Sequence, residues 1–135
     1  MLVLLAGYCT YRLSSSRTTR IDGELVQGVE TGDRMLAQTF DDGLTAGEVE
    51  AVLVHLDSRG DRATFYLDGT VVEANGEAAL RLVGAGHEID NHAWNHRPLV
   101  LVGPRTVARE IESADTGIWE TEYDGPLTFR PPNGK

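Results

Sequence analysis

The chain has 135 residues, 41% of them hydrophobic and 24% charged, and a formal net charge of −9. This is the composition of one ordinary globular domain with enough length to bury a core, which excludes disordered, collagen-like and low-complexity classes. A single cysteine, Cys9, rules out an internal disulfide, and all 21 acids lie beyond residue 20 with no basic, aromatic-studded stripe, which argues against a nucleic-acid partner.

The chain opens on the apolar run Met1 to Tyr11, too short for a bilayer span of about 20 residues. Residues 1–20 carry Arg12, Arg17 and Arg20 and no acid. Two readings stay open: the remnant of an export signal or membrane anchor whose basic leader is missing, or a buried first strand.

From residue 35 onward, short apolar runs alternate with helical patterns, the signature of β-α-β units and a largely parallel sheet. Met35 to Phe40 reads as strand one, which should have ended by Asp41. Thr45 and Glu48 form a capping-box pair ahead of Val49, Val52, Leu53 and Leu56, a helical stripe that stops at Gly60. His55 falls off that stripe and should be solvated. Ala63 to Leu67 is strand two, Asn75 to Val83 a second helix and His87 to Asn91 strand three. Val107, Ile111, Ala114 and Ile118 mark a third helix, and Thr128 to Arg130 begins strand four. About four parallel strands cannot close a barrel of roughly eight. An open nucleotide-binding sheet is disfavoured, because Thr39-Phe40-Asp41-Asp42-Gly43 stands where a Gly-rich phosphate loop would follow strand one.

Three clusters of polar residues sit at predicted strand ends. Asp41 and Asp42 with Gly43 can lean together over the carboxyl edge of the sheet, or form a solvated Asp-Gly turn. His92 and His96 stand four apart, and in a helical turn both rings would share one face, a spacing suited to a divalent metal; the alternative is two unrelated loop histidines. Arg130-Pro131-Pro132-Asn133-Gly134 supplies a bidentate cation followed by a rigid turn, unless it is a tail that has left the fold.

Together these residues resemble the first three motifs of the polysaccharide deacetylases with the NodB homology domain, carbohydrate esterase family four. Thr39 to Gly43 matches TFDDG in every position, His92 and His96 the two-histidine motif, and Arg130 to Gly134 the RPP-x-G motif. The resemblance implies an α/β fold, an incomplete deformed (β/α) barrel over residues 35–135. It implies a divalent metal, usually zinc, on Asp42, His92 and His96, and Asp41 as the general base acting on metal-held water. Arg130 would hold Asp41 in its carboxylate form, and the backbone N–H of Asn133 would help stabilise the oxyanion. The family's remaining motifs, including its general-acid histidine, would fall beyond Lys135, so the chain as written is expected to be weakly active or inactive.

The sequence departs from the family pattern at Leu44, Ala93 and Asn133, where a proline, a Ser or Thr and an aromatic residue are usual. Gln38 places an amide in a strand that should be apolar, at roughly 1 to 3 kcal/mol if it lacks a partner. The expected activity is removal of N-acetyl groups from an amino-sugar polysaccharide such as peptidoglycan or chitin, outside the cytoplasm, by a secreted or membrane-anchored protein. The alternatives are a non-catalytic glycan-binding relic and an O-deacetylase acting on acetylated xylan.

Overall fold

The computed structural model describes residues 2–14, 28, 30–43 and 45–134. Leu44, Arg17, Arg20 and Lys135 lie outside them. The apolar N-terminal run forms helix α1, Leu2–Ser14. It is no buried strand: Val3 is 84% and Leu4 80% exposed, and Leu5, Tyr8, Cys9 and Tyr11 are exposed as well. Among the described residues no helix is long and apolar enough to cross a membrane.

The sheet consists of β1 (Thr39–Asp42), β2 (Thr64–Leu67) and β3 (Glu88–Asn91), all parallel and adjacent in that order. Strand one therefore lies further along the chain than its apolar run suggests. Gln38 is the first residue to meet β2, its carbonyl accepting the Thr64 amide at 3.1 Å. Ahead of Thr64 the chain has already turned at Gly60 (φ 67), where Asp61 N–H bonds the Leu56 carbonyl, so Met35 and Leu36 find no neighbour and stay exposed. Gln38 is exposed too, and the expected penalty for burying its amide does not arise.

The predicted fourth strand reduces to a single bridge, Asn91 to Phe129. The Asn91 amide bonds the Thr128 carbonyl and the Arg130 amide bonds the Asn91 carbonyl, after which Pro131 and Pro132 have no N–H to extend the ladder. Among the described residues the result is an α/β fold with three strands in an unclosed sheet, an incomplete barrel.

Alternation along the strands gives the sheet two unlike faces. Phe40, Phe65 and Ile89 are in register on one face, with Leu67 beside them, and helices cover that side. Thr39, Thr64 and Glu88, then Asp41, Tyr66 and Asp90, line the other. Helix α2 (Ala46–Asp57) starts with the expected reciprocal capping box between Thr45 and Glu48, and buries Val49 and Leu56. The predicted second helix is α4 (Gly76–Gly84), and a short helix the sequence did not announce, α3 (Gly69–Ala74), precedes it, the two separated at Asn75 (φ −133, ψ 41). Helix α5 (Pro104–Trp119) has proline in its first turn, where a missing N–H costs nothing, and buries Ala114 and Ile118. His55 is exposed on α2, its ring nitrogens within 3.0 Å of Arg59.

Candidate metal centre

Both aspartates belong to β1, against the expectation that the strand ends before them: Asp41 is in register with Tyr66 and Asp42 with Leu67. What separates their roles is backbone conformation. Asp42 has φ 77, a left-handed twist that swings its carboxylate to the loop after β3, while Asp41 keeps to the polar face. The absent side chain of Gly43 matters here, because a Cβ there would lie 2.5 Å from Val71 Cγ1.

The segment after β3 is an irregular loop and not a helical turn, so the two imidazoles converge by another route. Ala93 (φ 71) and His96 (φ 52) are both left-handed. Buried Asn91 holds this shape: its side-chain oxygen accepts the Ala93 amide at 2.7 Å, and its NH2 donates to the Ile111 carbonyl and to Asp115 Oδ1 on α5. The loop is also pinned to α3, with Gly69 N–H on the Ala93 carbonyl and Thr70 N–H on the Trp94 carbonyl, both at 2.9 Å. Only glycine fits at residue 69, since a Cβ would fall 2.3 Å from the Trp94 ring. On the far side, buried Glu110 accepts the Asn95 amide and faces Arg97.

Asp42, His92 and His96 thus form one group whose ligand atoms all lie within 4.8 Å of each other. The His92 and His96 Nε2 atoms stand 3.4 and 2.9 Å from Asp42 Oδ1. Neighbouring vertices of a tetrahedron with bonds of about 2.0 to 2.1 Å are about 3.3 Å apart, so the spacing fits a zinc-sized ion. His92 Nδ1–H donates to the Arg130 carbonyl at 2.7 Å, which leaves the Nε2 lone pair facing the group. Two imidazoles and a carboxylate, with room for further ligands, are a donor set suited to zinc and similar divalent ions.

Arg130 lies across the polar face. Its guanidinium stacks on the Tyr66 ring at 3.8 Å, donates to Thr39 Oγ1 at 3.1 Å and makes a short charged hydrogen bond to Asp41 Oδ1. One residue therefore touches both parts of the site, its carbonyl on His92 and its guanidinium on Asp41. The approach of Arg130 is set by Asp90, whose two oxygens accept the Thr128 amide at 2.6 Å and the Thr128 hydroxyl at 2.8 Å; Tyr66 OH lies 2.9 Å from that same hydroxyl. Asn133 stands exposed at φ 55 on the 3₁₀ turn Pro132–Gly134 and has no hydrogen bond or ion pair to either group among the described residues.

Tyr66, Asp90 and Asp68 were not singled out from the sequence. The first two could have been found from alternation, since Thr64/Tyr66 and Glu88/Asp90 repeat the two-residue spacing of Thr39/Asp41. Asp68, at the end of β2, is 7% exposed, and burial pushes its carboxyl up from 3.8 to about 6, partly offset by His96 and His92 and reinforced by Asp42. Four of the six non-glycine residues with left-handed backbone among those described are Asp42, Ala93, His96 and Asn133, and such conformations concentrate where a fold holds a site in shape. A larger groove of about 510 Å³ between α3, α4 and α5, lined by Val72, Leu80, Trp94 and Gly117, contains none of the predicted site residues.

The chain belongs to the polysaccharide deacetylase family, whose sequence profile matches residues 28–135. It is 28% identical over 106 residues to the peptidoglycan-N-acetylmuramic acid deacetylase PdaC of Bacillus subtilis, covering 78% of this chain and 23% of that protein. The solved structure of PdaC superposes with a TM-score of 0.72 at 28% identity, covering 78% of this chain and 52% of that one. A peptidoglycan-N-acetylglucosamine deacetylase of Bacillus cereus is 30% identical over 112 residues, 83% of this chain and 52% of its own. A chitin deacetylase of Pestalotiopsis sp is 28% identical over 132 residues, 96% of this chain and 44% of its own. The chain spans between about a quarter and a half of the length of these curated relatives.

Proposed function

We propose that the chain is part of a metal-dependent hydrolase that removes N-acetyl groups from an amino-sugar polysaccharide, peptidoglycan or chitin. The observation that carries this reading is the juxtaposition of a three-ligand group, Asp42, His92 and His96, with an arginine-held carboxylate, Asp41. A zinc ion bound there would act as a Lewis acid on the acetamide carbonyl and lower the pKa of its water.

The chain's own groups do the rest. Arg130 engages Asp41 Oδ1 and fixes the direction of the carboxylate, whose other oxygen can take the proton of the attacking water as general base. His92 is held in one tautomer by the Arg130 carbonyl. The amide C–N bond then breaks to acetate and a free amine, a step that needs a proton. None of the four histidines is placed to give it: His92 and His96 are ligands, His55 is exposed on α2, and His87 is buried at the opposite end of β3. By the family resemblance, the Asn133 backbone N–H would serve as an oxyanion donor.

The proposed polymer substrate and the exposed apolar helix α1, in a first 20 residues that carry Arg12, Arg17 and Arg20 and no acid, support an extracytoplasmic location. The test is acetate release from N-acetylated glycans and acetylated xylan by the protein loaded with zinc. Release from the amino-sugar polymers that stops with EDTA and in His96→Ala supports the reading. Release from xylan alone would assign an esterase, and zinc-independent glycan binding without release would assign the relic.

A further inference from the structure

We propose that Asp68 is a second carboxylate of the cation site, an outer-sphere partner that holds water of the ion's hydration shell and sets the affinity for the metal; the inference rests on the cation-site reading above. Asp68 is 7% exposed, and its Oδ1 is fully buried without a hydrogen-bond partner among the described residues. A buried unpaired carboxylate oxygen is rare in a folded protein and calls for a ligand or a water.

The obvious structural duty is already discharged by others. Asp68 occupies the N-cap position of α3, where a carboxylate ordinarily accepts a backbone amide of the first turn, yet it makes no such bond. The amides it could accept are taken: Gly69 N–H by the Ala93 carbonyl, Thr70 N–H by the Trp94 carbonyl and Val71 N–H by the backbone carbonyl of Asp68 itself. The side chain is thus left free while the backbone is tied to the site, its own amide donating to the Asp42 carbonyl at 2.8 Å.

The ionisable groups that act electrostatically on its carboxyl are the three ligand residues, His96, His92 and Asp42. The tight set of ligand atoms does not include Asp68, so Asp68 would reach the ion through a bridging water and not through a direct bond. The charges also balance. Asp41 is neutralised by Arg130, which leaves Asp42 and Asp68 to match a divalent ion held by two neutral imidazoles.

The experiment is zinc titration of the metal-free chain at pH 8 by competition with a chromophoric chelator, for wild type, Asp68→Asn, Asp68→Ser and His96→Ala, with cobalt absorption spectra of each loaded protein. Serine keeps the N-cap preference of α3 and removes the carboxylate, so it controls for a folding defect in the asparagine variant. Both substitutions at Asp68 are expected to weaken zinc binding about ten- to a hundredfold, with one ion per chain and an unchanged cobalt spectrum, whereas His96→Ala changes the spectrum itself. Wild-type affinity in both Asp68 variants overturns the proposal, and so does a cobalt spectrum showing a lost ligand. If wild type binds no zinc, the cation-site reading fails and this inference falls with it.

Discussion

The two faces of the three-stranded sheet are made from the same dozen residues, and they do opposite work. On one, Phe40 and Phe65 stack with ring centroids 4.9 Å apart, and Val49, Leu56, Leu82 and Ile118 join the same buried cluster. On the other, Asp41, Tyr66, Asp90 and Thr39 are tied to Arg130 and Thr128 by directional bonds. The apolar face holds the strands in register, and register is what brings Asp42 and the segment after β3 to the same edge. The polar face then needs little burial of its own; it needs angles. Stability and chemistry should therefore separate cleanly by face.

The largest effect should come from the apolar side. Phe65 is fully buried, and Phe65→Ala should destabilise the fold by about 3 to 5 kcal/mol in urea unfolding. A loss below about 1 kcal/mol would mean that the face does not carry the fold. Asp41→Asn, on the other side, should lower acetate release about a hundred- to ten-thousandfold, with a urea midpoint close to wild type. An equal loss of stability and activity would erase the distinction between the faces. Tyr66→Phe removes only the hydroxyl that meets Thr128, and should cost about 1 kcal/mol while the ring still carries the Arg130 guanidinium.

The smallest effect concerns pH. His87 packs on the Phe65 ring at 5.6 Å, and burial, helped by Arg62, holds its pKa below the ordinary 6.5. Its Nδ1 accepts the Ala63 amide at 3.4 Å, so the folded state favours the neutral ring. Unfolded chains bind the extra proton more readily; the stability this neutral ring supports is present above pH 6.5 and fades as the pH falls below it. His87→Leu should flatten that part of the pH–stability curve. A slope unchanged by the substitution would place the acid sensitivity elsewhere.

Much of this was legible from the residues. The Thr45–Glu48 box and the Val49 to Leu56 stripe announced α2, and the strand-end positions of the acidic, histidine and arginine clusters announced a site. The errors share a physical origin: they concern what a neighbour does, which periodicity does not record. Met35 and Leu36 look like strand residues and are exposed because β2 starts too late to pair with them. Two histidines four apart suggested a helical turn, yet left-handed backbone at Ala93 and His96, held by Asn91, brings the rings together in a loop. The helix expected from residue 75 has another ahead of it, α3, because the chain docks on the loop carrying Trp94. Asp68 gave no sequence signal at all, since a lone acid before a glycine is commonplace and only its burial sets it apart.

The most direct test of the central claim is the zinc X-ray absorption spectrum of the metal-loaded chain. Two imidazole nitrogens and oxygen donors at about 2.0 to 2.2 Å are predicted, with imidazole scattering reduced to one ring in His92→Ala. A spectrum without imidazole scattering, or one unchanged by that substitution, would show that Asp42, His92 and His96 are not the metal site.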